Sequence, residues 1–359
     1  MSDQLLFCAA TRFDAARQLK AVPARHRARQ VHGHGFVVTV RAEACGADDQ
    51  RTSLRERLNA VAARLDYQSL NGRLEEPSDE NLAGWFERHL ELPRVHSITV
   101  QSTPDRGAER DRRGRLRVWR RYPLQAAHQL PHVPPRHKCS RMHGHGFQVA
   151  LCGDYGEEPP PSALVYDRLD EAWAPLHVML NHACLNDIEG LENPTSEIIA
   201  GWIWNRLNSE LPELSSVLVH ETASCGARFD GSRYWIWKDA TFDSARRAPA
   251  GIGAQGRRGI TGHTYLLRLH LQALLDPIMG WALDFGEVKD SFSPVFLEPD
   301  HRLLDEVVGQ ACDVPTVASW IRRRMTDVLP QLRRIDLYET PGCGAVLCWG
   351  EEDTTLALP

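Results

Sequence analysis

The chain has 359 residues, 42% of them hydrophobic and 25% charged, with 22 prolines. That composition fits a globular protein of two or three domains and excludes wholesale disorder, collagen and a coiled coil. Lys and Arg number 42 against 47 Asp and Glu, a net charge of -5, which excludes a general nucleic-acid-binding field and leaves only local basic patches. No window approaches the ~18 consecutive apolar residues of a membrane helix. The start, Met1-Ser2-Asp3-Gln4, has no basic region followed by an apolar one. Nine scattered cysteines without a CxxC pair fit a reduced chain. The expectation is a cytoplasmic protein with no membrane and no nucleic-acid partner.

The elements come in three rounds. Phe13-Asp14-Ala15-Ala16-Arg17-Gln18-Leu19 and the stretch Arg25 to Phe36 return as Leu124-Gln125-Ala126-Ala127-His128-Gln129-Leu130 and Arg136 to Phe147, at a constant offset of 111 residues. Between them Leu82, Trp85 and Phe86 fall at helical spacing. Phe147–Leu151 reads as a strand. Ser196–Leu211 reads as a helix behind Asn193-Pro194, with Ile199, Trp202, Ile203 and Leu207 on one face. A third round follows at an offset of 118, with Phe242-Asp243-Ser244-Ala245-Arg246 and Ile260-Thr261-Gly262-His263-Thr264-Tyr265, the latter running into a strand over Tyr265–Leu271. Val118-Trp119-Arg120, Trp235-Ile236-Trp237 and Leu347-Cys348-Trp349 close the rounds. The units are therefore 1–120, 121–238 and 239–359. Each is α+β in the order strand, strand, helix, helix, strand, strand. No Gly/Ser linker marks the joins, so one unit's last strand should run almost directly into the next unit's first. Such units have exposed strand edges, which a shared barrel would remove.

The middle unit carries the chemistry. His143 and His145, two apart on a strand, point to one face, and His128 lies in the adjacent strand region. Three imidazoles leave one coordination position open, the catalytic zinc pattern. Two half-buried strand histidines bonded to backbone would satisfy the same HxH spacing. Cys139 lies near Lys138 and Arg141, and a thiolate is favoured beside a metal and cations. A lone Cys is otherwise a small buried hydrophobe.

These residues resemble a known family. Ala126-Ala127-His128, Cys139-Ser140-Arg141-Met142-His143-Gly144-His145, Leu185-Asn186-Asp187, Gly190 to Glu197 and His220-Glu221-Thr222 make the middle unit similar to the 6-carboxytetrahydropterin synthases. These belong to the 6-pyruvoyl-tetrahydropterin synthase superfamily, with the tunnelling (T-) fold. The Cys-x3-His-Gly-His spacing resembles the bacterial carboxy type. The resemblance implies three tandem T-fold units, each an antiparallel sheet plus two helices, closing a single-chain pseudo-trimeric β-barrel with helices outside. It implies Zn2+ on His128, His143 and His145, Cys139 as general base, and pterin anchoring by Glu197 and Glu221, since a carboxylate accepts two parallel N–H bonds. Glu197 is also a first-turn helix carboxylate facing the dipole.

The family pairs Asp with His as a proton relay, but the middle unit has Asn181-His182 there. In the first unit Arg17, Ala28, Asp66-Tyr67 and Ser102 replace the first ligand, the Cys, the relay and the anchor Glu221. In the third, Arg246, Arg257 and Thr261 replace a ligand, the Cys and a second ligand, while Asp300-His301 and Glu339 remain. Arg is permanently charged and does not ligate zinc. The resemblance thus implies one active site per chain, where the second unit's zinc and Cys139 meet Asp300 and His301 of the third. Lys138, with Arg136 and Arg141, would face a triphosphate. The implied activity is that of a zinc-dependent lyase. It converts 7,8-dihydroneopterin triphosphate to 6-carboxy-5,6,7,8-tetrahydropterin with release of acetaldehyde and triphosphate, on the route to queuosine and other 7-deazaguanines. The chain should form a homodimer of stacked pseudo-trimers. A pyruvoyl-type synthase, a pterin side-chain aldolase and a non-catalytic pterin-binding scaffold are the alternatives.

Overall fold

The computed structural model describes residues 3–44, 48–92, 94–157, 160–247, 259–309 and 312–349; Arg257 lies outside them. Each unit opens with a long antiparallel hairpin: β1 (Gln4–Arg17) with β2 (His32–Glu43), β6 (Leu116–His128) with β7 (His143–Asp154), and β11 (Tyr234–Arg247) with β12 (Ile260–Ala273). Two helices follow. They are α1 (Asp48–Ala62) and α2 (Asp79–Leu90) in the first unit, α3 (Ser162–Leu180) and α4 (Ser196–Leu207) in the second, and α5 (Phe285–Leu297) and α7 (Val314–Met325) in the third, with the short α6 (Leu304–Val307) between. A second hairpin closes each unit: β4 (Val95–Thr103) and β5 (Arg106–Asp111), β9 (Leu214–Thr222) and β10 (Cys225–Phe229), β14 (Leu332–Thr340) and β15 (Cys343–Cys348). The helix read over 196–211 ends at Leu207, and Asn208 already caps it.

Twelve antiparallel strands close into one barrel in the order β10-β9-β7-β6-β5-β4-β2-β1-β15-β14-β12-β11, with β11 returning to β10. Three two-residue strands, β3 (Gln68–Ser69), β8 (Ala183–Cys184) and β13 (Arg302–Leu303), add parallel to β1, β6 and β11. Closure leaves no open edge on the ring. Positions 120 and 238 fall inside β6 and β11. Each of these strands pairs backward with the preceding unit (Arg106↔Arg120, Cys225↔Lys238) and forward with its own (Ala126↔His145, Phe242↔Tyr265). The third seam, β15 with β1, joins the chain's two ends (Gln4↔Cys348). Pro123 is tolerated in β6 because β5 pairs only as far as Arg120, so no ladder bond is lost on that side.

Strand alternation sorts two faces. One face packs on the helices in three apolar cores, one per unit; Leu124, Phe147 and Val149 meet Leu169, Ile199 and Ile203 in the second. The other face carries buried charge in pairs. Arg334 donates to both oxygens of Asp336 at 2.6 and 2.8 Å, Arg268 to both of Asp239 at 2.7 and 2.8 Å, and Arg117 to Glu109 at 3.1 Å. Bidentate geometry meets the hydrogen-bonding demand of charges removed from water. Among the described residues no helix is long and apolar enough to cross a membrane.

Candidate metal site and its cavity

His128 ends β6 directly opposite His143, which begins β7 (His128↔His143), and His145 follows two residues on. The three ligand atoms lie within 4.8 Å of one another. His128 Nδ1 donates to Pro194 O at 2.9 Å and His143 Nδ1 to Arg141 O at 2.7 Å. Those bonds fix the tautomer and leave Nε2 lone pairs free, the second-shell arrangement of metal-bound imidazoles. The Nε2 atoms of His128 and His145 are buried without a hydrogen-bond partner, and His128 is only 1% exposed. Burial holds both imidazoles below their ordinary range, hence neutral and able to ligate. The donor set fits a zinc-like cation with an open position.

The cradle opens into a cavity of 770 Å³ at the seam of the second and third units. Cys139, Lys138, Glu197 and Glu221 line it with His143 and His145. Ser196 Oγ donates to Glu221 Oε2 at 2.9 Å, and Glu221 Oε1 lies 3.6 Å from His145 Nε2. Glu197, 1% exposed, accepts from the Ala282 N–H at 2.8 Å. Burial pushes its carboxyl up to about 7, against the pull of that backbone bond. The Cys139 thiol moves opposite to the expected thiolate. Burial raises it first and the Glu221 carboxylate adds to that, while Lys138 opposes. The protein alone therefore keeps Cys139 as a thiol, and any thiolate there needs further positive charge.

Unit three does reach this cavity, but with a different segment from the one expected. Trp281, Asp284 and Lys289 line it, whereas Asp300, His301 and Glu339 do not. Asp300 and His301 form a separate cluster with Asp243 at the far end of β11. The His301 ring is 77% exposed, 3.1 Å from Asp300, on left-handed backbone (φ 55°). Tyr67 and His182 hold the same place in their units at φ 53° and 61°. The cause is the β11–β13 pairing and the His301 N–H to Asp243 O bond, which tie this turn to its own unit's strand. Glu339 faces Arg246 at 3.5 Å, in the third unit's own version of the site.

One contact escaped the sequence reading. His137 Nε2 lies 3.2 Å from Asp284 Oδ2 across the seam, while its Nδ1 accepts from the Cys139 N–H at 3.2 Å. His26 repeats this with Asp167 at 2.8 Å and the Ala28 N–H at 3.1 Å. Since the first unit has neither the Cys nor the third imidazole, the repeat marks a clamp between units. The signal was the His two residues before the Cys-equivalent position in the first two units, His26 before Ala28 and His137 before Cys139. Lys238, whose Nζ donates to Ser224 Oγ at 3.2 Å, also lines the cavity and was not anticipated.

The sequence pattern described as 6-pyruvoyl tetrahydropterin synthase matches residues 7–113, 117–232 and 235–348. A Synechocystis protein named 6-carboxy-5,6,7,8-tetrahydropterin synthase is 39% identical over 124 residues, 32% of this chain and 94% of that relative. A Pyrococcus furiosus dihydroneopterin monophosphate aldolase is 29% identical over 116 residues, 31% of this chain and 93% of that relative. A solved Caenorhabditis elegans 6-pyruvoyl tetrahydropterin synthase, 21% identical, aligns with 33% of this chain and 95% of its own at a TM-score of 0.29.

Proposed function

The chain belongs to the 6-pyruvoyl tetrahydropterin synthase family in all three of its units, and from that premise we propose that it is a zinc-dependent 6-carboxy-5,6,7,8-tetrahydropterin synthase. It would act on 7,8-dihydroneopterin triphosphate, release acetaldehyde and triphosphate, and serve the 7-deazaguanine (queuosine) route in the cytoplasm. The observation that carries the reading is the set of three imidazole nitrogens beside Cys139 and two carboxylates in one cavity. The 39% identity to the Synechocystis relative favours the carboxy-type product over the aldolase.

His128, His143 and His145 would hold the zinc, which when bound supplies Lewis-acid polarisation of the substrate's side-chain oxygens. Glu197 and Glu221 accept the N–H groups of the pterin edge, and burial of Glu197 strengthens that discrimination. Lys138, Lys238 and Lys289 line the same cavity and offer charge to the triphosphate. Cys139 Sγ takes the side-chain proton as general base. The helices form the outer wall of the barrel and the paired charges its interior, with unit boundaries near 120 and 238.

His301 is exposed and Asp300 half-buried at the barrel end where β6 terminates in His128. In a homodimer stacked through that end they would act on the partner copy's cavity, with Asp300 orienting His301 as the acid–base partner of Cys139. Cys139→Ala and Asp300→Asn should each be inactive alone. Their co-expressed mixture should regain about a quarter of wild-type acetaldehyde release, because half of the dimers are mixed and each has one complete site. No recovery would exclude action in trans. The second measurement is metal content. One zinc per chain, lost in His143→Ala, supports the reading, and three per chain would refute the roles given to Arg17 and Arg246.

A further inference from the structure

The cavity between the first and second units repeats this frame with Arg17 in the place of an imidazole. It encloses 480 Å³ between the ends of β1 and β2 and the start of α3. His32 and His34 keep their places with rings 5.1 Å apart, and His32 Nδ1 donates to Gln30 O at 2.8 Å, as His143 does to Arg141. Arg17, paired opposite His32, stands where the third imidazole would be. A guanidinium offers only donors, so a cradle that elsewhere suits a cation cannot take one here.

Glu80 keeps the place of Glu197 and accepts from the Ser162 N–H at 3.2 Å, and the two carboxylates that line the cavity are engaged, Asp105 by Arg120 and Asp167 by His26. Ser102 replaces the anchor Glu221. Asp79 is turned away onto Arg17 at 2.7 Å, and Ser102 Oγ and Tyr166 OH also donate to it, at 2.8 and 2.7 Å. On the lining, Arg27 and Arg106 are left without an ion-pair partner among the described residues. Arg17 Nε, Arg106 Nε and His34 Nε2 are buried without partners, and Arg17 is 3% exposed. The Arg106 guanidinium lies 5.1 Å over the Tyr166 ring and has no ion pair among the described residues. Arg27 lines the mouth. Unmet donors around one cavity call for an acceptor with several oxygens. A tetrahedral phosphoryl group offers oxygens in several directions, where a planar carboxylate meets donors only in its own plane.

We propose that this first cavity is a binding site for a phosphoryl anion, free or esterified on a small molecule, held by Arg106, Arg27 and the imidazole N–H of His34. It is separate from the pterin site and independent of the activity assigned to it.

The test is calorimetric titration of the full chain with inorganic triphosphate and, in a second arm, with phenyl phosphate; no turnover is read. Wild type should bind at least one of them in a salt-dependent way. Arg106→Gln and Arg27→Gln should each weaken that binding by about tenfold or more, the scale of a lost charge-assisted bond. Lys138→Gln, in the other cavity, should leave the arginine-dependent component of that binding in place. The stronger arm tells free polyphosphate from a phosphate ester. Arg27 is exposed, so its variant decides the matter even if Arg106→Gln folds poorly. Absence of binding by wild type, or binding that both arginine variants retain and Lys138→Gln abolishes, would overturn the assignment.

Discussion

At the scale of single residues the site is governed by desolvation. Glu197 is ionised in an unfolded chain above about pH 4.3 but keeps its proton in the fold up to about pH 7. Below pH 4.3 both states are protonated and nothing is lost. Between the two values the folded state holds a proton that the unfolded state has released, so stability falls as pH rises. Above pH 7 the penalty is complete, of order 3 kcal/mol. Glu197→Gln keeps an acceptor for the Ala282 N–H without the charge. Its urea midpoint should match wild type near pH 4 and exceed it at pH 8; an equal gap at both would mean the carboxyl is not desolvated. Cys139 obeys the same rule. In metal-stripped protein its alkylation by iodoacetamide should rise with pH only above the ordinary thiol range, and zinc should shift that profile downward. An unchanged profile would remove the base assigned to it.

At the scale of elements, small residues opposite large ones set how closely the strands approach. Gly107 pairs with Trp119 across β5–β6, and Gly226 with Trp237 across β10–β11. A Cβ on Gly226 would lie 2.3 Å from the Val219 carbonyl oxygen and 2.4 Å from the Trp237 ring. Neither the backbone oxygen nor the buried indole can retreat cheaply. Gly226→Ala should therefore cost about 2 kcal/mol or more, read as a lower denaturation midpoint, whereas Gly72→Ala, with open space at its Cβ, should be near neutral. The His26–Asp167 and His137–Asp284 clamps belong to this scale too, since each fastens one unit's turn to the next unit's helix entry. The strands and helices were legible because their apolar spacing is local. The helix over 196–211 overran by one turn because apolar Leu211 prolongs the pattern past the cap at Asn208.

At the scale of the whole molecule, the barrel's paired charges make stability depend on acid. Arg334 and His270 hold the Asp336 carboxyl far below its usual range despite complete burial. That contribution is present above about pH 4 and is lost as pH falls toward the depressed value, because the unfolded chain then binds the proton first. Asp336→Asn should flatten this acid slope and cost about 3 kcal/mol or more at neutral pH, by removing the carboxylate that both buried guanidinium nitrogens of Arg334 bond. A variant as stable as wild type at pH 7 would show that the pair contributes nothing net.

By itself the sequence determined the three repeats and put His128, His143, His145 and Cys139 together in the middle one. Each of these is written in short-range spacing or in a fixed offset between copies. Only the tertiary structure decided what faces what. Strand closure brings Trp281 and Asp284, not Asp300 and His301, to the second unit's cavity. It also decides what the substituted arginines touch, with Arg17 on Asp79 and Arg246 near Glu339. Such contacts depend on strand register and on which turn each β-pairing holds down, and these are fixed only when every unit has its neighbours.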